Sequence, residues 1–70
     1  MSKSYRVHVH DQNDQGRWLA SGDFEKRPLS DEVEAVMPAL RKPGRYEVRV
    51  NVVQDGEEYY LYAWLQDGKP

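Results

Sequence analysis

His8 and His10 are separated by one residue, so on a strand both imidazoles fall on one face, about 7 Å apart at the backbone. With Asp11 or Asp23 such a pair begins a zinc site. The sequence supplies no convincing third and fourth ligand. The two histidines are therefore expected to be exposed polar residues on a strand, and no metal or other cofactor is implied.

Carboxylates come in two groups. Asp31, Glu32 and Glu34 sit together, as do Asp55, Glu57 and Glu58. Paired carboxylates doing acid–base chemistry need a pocket, and a chain of 70 residues has little core to build one in. The first group complements a helix N-terminus, and the second solubilises a turn. Either group would also suit an arginine-rich partner or imitate phosphates. Lys26, Arg27, Arg41, Lys42 and Arg45 offer a phosphate-contacting edge, although Arg41 and Lys42 equally suit a helix C-terminus. No glycine-rich phosphate loop, nucleophile elbow or ordered Ser/His/Asp set is present, so no enzymatic activity is expected.

The elements that must position these residues follow from alternation and punctuation. In residues 5–10, Tyr5, Val7 and Val9 alternate with Arg6, His8 and His10, which predicts a half-buried strand. The polar stretch 11–16 ends in Gly16 and reads as a turn, and 17–24 as a weaker strand. With His10 facing Arg17, Val9 faces Trp18, Val7 faces Ala20 and Tyr5 faces Gly22. Pro28 falls in a connector. Ser30 reads as a helix N-cap, and Val33, Val36, Met37 and Leu40 follow the spacing of one buried helical face. Pro38 either ends that helix or kinks it, and Pro43-Gly44 stops it in any case.

Residues 45–53 alternate Tyr46, Val48, Val50 and Val52 with Glu47, Arg49 and Asn51. Asp55-Gly56 is a two-residue hairpin signal, because a type I′ turn needs positive φ at both central positions. The return strand is 57–66. The expected fold is thus α+β: a four-stranded antiparallel sheet from two β-hairpins, with one short helix on one face, in the order ββαββ. The chain is one domain, with 1–4 and 67–70 expected to fray.

That turn sets a register by arithmetic. Val53 faces Glu58, Val52 faces Tyr59, Val50 faces Leu61, Val48 faces Ala63, and Tyr46 faces Leu65. The helix covers that side. On the other side Glu47 would face Trp64, Arg49 would face Tyr62, and Asn51 would face Tyr60. Arg6, His8, His10, Arg17, Leu19 and Ser21 would join them from the first hairpin. An open face carrying Tyr60, Tyr62, Trp64, Arg49 and Arg6 has the composition of an interface core, with Asp55, Glu57 and Glu58 as a second contact at the hairpin tip. The same rings would also stabilise the sheet by cross-strand stacking, with arginine stems laid over them.

Composition narrows the partner. Ten basic and twelve acidic residues give a formal net charge of -2, so no overall field draws in nucleic acid or an anionic membrane. The chain has no cysteine, which fits a reducing compartment. The first six residues lack an apolar signal region, and no apolar run approaches the ~20 residues of a membrane span, so the expected location is the cytoplasm.

As a whole-chain profile, the small size, mild acidity and one-helix-plus-hairpins layout resemble the small accessory proteins of phages and mobile elements, including anti-CRISPR proteins. The resemblance implies a non-enzymatic inhibitor in the bacterial host cytoplasm. It would dock on a larger complex, nucleic-acid-binding or of the CRISPR–Cas kind, and block it. It rests on no shared motif, and no residue role is taken from it. Two other expectations stand beside it: single-stranded nucleic-acid binding by the aromatic and arginine face, and a small homodimeric structural domain.

Overall fold

The computed structural model describes residues 3–14 and 17–68. Four strands and one helix follow in the order β1 (Lys3–Asp11), β2 (Trp18–Phe24), α1 (Ser30–Val36), β3 (Gly44–Gln54) and β4 (Glu57–Gly68), with a 3-10 turn, Pro38–Arg41, after the helix. The strands form one antiparallel sheet in the spatial order β2-β1-β3-β4, as the ββαββ reading expects. The central pair is β1 and β3, and β2 and β4 are the edges. Lys3, Ser4, Asp67 and Gly68 belong to the ladder rather than to frayed ends. Residues 1–2 and 69–70 lie outside the described residues, as does the turn glycine Gly16.

The core forms where the alternating valines of the two central strands meet. Val7, Val9, Val48 and Val50 are fully buried, and Val33, Met37 and Leu40 cover them from the helical segment. Burial of one such side chain contributes about 1.5–3 kcal/mol. Tyr46 closes one end of the core, its hydroxyl donating to the Lys42 carbonyl at 3.0 Å.

Pro38 ends the helix. α1 stops at Val36, Met37 takes an extended conformation, and Pro38 opens the 3-10 turn, where its missing N–H costs nothing. The break changes which face is buried. Leu40 still reaches the core, but Val36, expected on the buried face, is 60% exposed. The start also differs from the sequence reading. Leu29 is the N-cap, Ser30 is the first helical residue, and the Glu32 carboxylate accepts the Leu29 N–H at 3.0 Å.

Asp55 and Gly56 have φ of 54° and 79°, the left-handed pair that a type I′ hairpin requires. Next to the turn the register is the expected one, with Val53 opposite Glu58 and Val52 opposite Tyr59. Beyond it a bulge opens at Leu61. Asn51 pairs with Tyr60 and Val50 with Tyr62, leaving Leu61 as the extra residue. From there Val48 faces Trp64 and Tyr46 faces Gln66, not Ala63 and Leu65. A one-residue slip moves every following side chain to the other face. A second bulge, at Leu19, shifts the pairing in β2: His10 pairs with Trp18 and Val9 with Ala20, in place of the expected His10–Arg17 and Val9–Trp18, so Trp18 moves to the open face while Ala20 stays on the core side.

Candidate functional site

The two bulges decide what the uncovered face carries. Tyr62 and Trp64, expected there, stand on the helix side. Their rings stack with centroids 5.9 Å apart. The Trp64 indole N–H donates to Gln66 Oε1 at 2.8 Å, and Gln66 reaches the Ser30 carbonyl at 3.4 Å. These two aromatics tie edge strand β4 to the start of the helix. Conversely, Ala63, Leu65 and Trp18, expected against the core, come to the open face.

Arg6, His8 and His10 of β1 lie on the open face as expected, opposite Asn51, Arg49 and Glu47 of β3. Two ionic groups join them. In the first, the Glu58 carboxylate accepts from Asn51 Nδ2 at 2.6 Å, from Arg6 at 2.9 Å and from His8 Nε2 at 3.0 Å. Arg6 also donates to Asp23 at 2.9 Å. The Asn51 bond first, then those of His8 and Arg6, hold the Glu58 carboxyl below its ordinary range. Asp23 and then Glu58 raise the Arg6 guanidinium. Glu58 is therefore a member of the face network and not a free tip residue. Asp55 and Glu57 remain exposed at the tip and form no ion pair among the described residues.

In the second group, Glu47 lies 3.2 Å from the Arg49 guanidinium and 2.7 Å from His10 Nε2. The His10 approach lacks hydrogen-bond alignment, so neither ring nitrogen has a hydrogen-bond partner among the described residues, and His10, expected to be exposed, is only 2% exposed because Trp18 lies over it. Trp18 provides the cover. Its ring lies 4.8 Å from that of His8 and 4.7 Å from that of His10. The Arg49 guanidinium sits 5.7 Å from the rings of both Trp18 and Tyr60.

The result is a neutralised polar floor with an apolar rim. Trp18 is 47%, Leu19 40%, Tyr60 63% and Leu65 51% exposed. Arg17, expected on this face, precedes β2 and is exposed, its N–H donating to the Asp14 carbonyl. Of the residues expected to form the contact, Tyr60, Arg49, Arg6 and Glu58 are brought together. Tyr62 and Trp64 are not. The sequence reading missed Trp18 and Leu65; the unbroken apolar run 59–65 was the available signal, because a strand with one buried face should alternate.

Among the described residues no group of three or more His, Asp or Glu is arranged to hold a metal ion. No helix among them is long and apolar enough to cross a membrane. The chain matches no family model, no curated protein and no solved structure. Fold and site together define a small antiparallel α+β domain with one covered and one uncovered sheet face.

Proposed function

We propose that the chain is a non-enzymatic docking module that binds a larger protein through the open sheet face, as a small inhibitor would. One observation carries the reading: four large apolar side chains, Trp18, Leu19, Tyr60 and Leu65, ring a half-buried, internally paired ionic network on a face that no other element among the described residues covers. Exposed apolar rings of this kind mark interaction sites. Trp and Tyr are the residues that most often anchor them. The ionic floor supports a protein partner over a nucleic acid. Phosphate binding draws on unpaired cations, whereas Arg6 is held by Asp23 and Glu58, and Arg49 by Glu47. Such a domain blocks a larger assembly by occupying one of its binding surfaces, and the open face supplies the contact.

The test compares wild type with Leu65→Glu and Tyr60→Ala as baits, followed by titration of whatever the wild type retains. The reading expects one protein, bound at least about tenfold more weakly by either variant, a loss of ~1.4 kcal/mol or more, with melting temperatures unchanged. Equal retention by all three baits, or salt-sensitive retention of nucleic acid instead, overturns it.

A further inference from the structure

We propose that the β4 edge and the groove beside it take an extended segment of a partner protein as a fifth strand, with basic residues toward its two ends and apolar residues between. This site is the outer edge of β4, with its groove on the helix side of the sheet, at the opposite edge from Trp18 of β2.

Three observations carry it. First, β4 is an unpaired edge twelve residues long. Natural edges are commonly blunted by lysine, proline or a bulge; β4 has no lysine or proline along its length, and its bulge at Leu61 leaves Tyr62–Gly68 as a regular run. Second, the edge is bordered by two adjoining grooves of about 370 and 380 Å³ that share Ser30 and Trp64. The first has an apolar wall of Pro28, Leu29, Tyr62 and Trp64, with Leu29 68% exposed. Alternate side chains of an added strand would fall against that wall. Third, both ends of the edge are acidic. Asp31 and Glu34 line the second groove with Asp67, and Glu57 stands at the other end. Asp31, Glu34 and Glu57 form no ion pair among the described residues.

The charge pattern also selects the occupant. In an antiparallel pairing of β4 with a second copy centred between Tyr62 and Ala63, Glu58 falls opposite Asp67 twice. In a parallel, in-register pairing every carboxylate meets its own copy. Like charges directly opposite are destabilising, so these two registers disfavour a second copy, although an antiparallel pairing centred on Ala63 sets no carboxylates opposite one another. A segment with Lys or Arg at its ends meets the same carboxylates favourably. Eleven residues of strand cover about 37 Å, the reach from Glu57 to Asp67.

The experiment titrates the isotope-labelled full chain with an eleven-residue acetylated probe, Arg-Val-Thr-Val-Thr-Val-Thr-Val-Thr-Val-Lys, and with an analogue carrying Glu at both ends. Amide shifts and slowed amide exchange are expected in β4 and near Leu29 and Glu34, leaving Trp18 and His8 unmoved. The Glu-ended analogue should bind at least about tenfold more weakly, and Glu34→Gln with Asp67→Asn should weaken the basic probe about threefold or more. Four results would overturn the proposal: no binding at millimolar probe, shifts centred on Trp18 and His8 instead of β4, indifference to probe charge, or a dimer in sedimentation joined through β4. Because Trp18→Ala alters the open face at the opposite edge strand β2, while Glu34→Gln alters only the groove beside β4, failure here and failure of the open-face reading are separate outcomes.

Discussion

Trp18 lies across His10, ring centroids 4.7 Å apart, and keeps the imidazole almost wholly from solvent. The indole is itself nearly half exposed. It shields a polar group on one side and offers an apolar surface on the other. Removing it should therefore affect two readouts unequally. Trp18→Ala is expected to cost only about 1 kcal/mol of stability, because the uncovered imidazole regains water while the ring contacts and the Arg49 contact are lost. Partner affinity should fall much further, by tenfold or more if Trp18 is an anchor, a change above about 1.4 kcal/mol. Urea unfolding and partner titration on the same variant separate the two.

Tyr62 and Trp64 should behave in the opposite way. They are half-buried, stacked on each other and packed against the core. Tyr62→Ala or Trp64→Ala is expected to destabilise by about 2–3 kcal/mol. For a domain of this size that is a fall of roughly 10–20 °C in melting temperature. At a temperature where the variants remain folded, binding through the open face should persist.

Ionised Glu58 contributes stability through Asn51, His8 and Arg6, and its carboxyl is held below the ordinary range in the folded chain. A lowered folded value means the contribution is fully present above the unfolded carboxylate range and is lost as pH falls through the folded value. E58Q should thus lower the urea midpoint at pH 7, and the gap to wild type should close as pH drops below about 4. A gap that stays constant to pH 3 would show that the carboxylate's charge is not what the network uses.

The hairpin turn was legible in the sequence because Asp55-Gly56 allows little else. The residues beside it, Val52 with Tyr59 and Val53 with Glu58, pair as the arithmetic requires. The rest of β4 was not legible. Residues 59–65 are all apolar or aromatic, so sliding the strand by one still sets apolar against apolar. Only packing selects Tyr62 and Trp64 for the helix side and leaves Leu65 and Ala63 outside. The same holds for Trp18 and Leu19, two apolar neighbours of which either can face the core. Pro38 announced a break, but whether Leu40 would still reach the core depended on the 3-10 turn that follows. The ββαββ order and the valine core needed only alternation and turn chemistry.

The bulge itself can be tested by deletion. Leu61 is the extra residue, so removing it joins Tyr60 directly to Tyr62 and preserves every other face assignment. The cost should be about 1 kcal/mol for its partial burial. Removing Ala63 instead turns Tyr62 outward relative to Trp64 or forces a new slip, and should unfold the domain. Circular dichroism melts of the two deletions should differ sharply; equal melts would contradict the register.

Site-specific photo-cross-linking tests docking through the open face most directly. A photoreactive phenylalanine would replace Tyr60 or Leu65 on the open face, and Val36 on the opposite side as a control, since all three are more than half exposed. The expected result is a single discrete protein adduct from positions 60 and 65 and none from 36. An adduct only from position 36, adducts only between copies of the chain, or adducts to nucleic acid would contradict docking of a protein partner on this face.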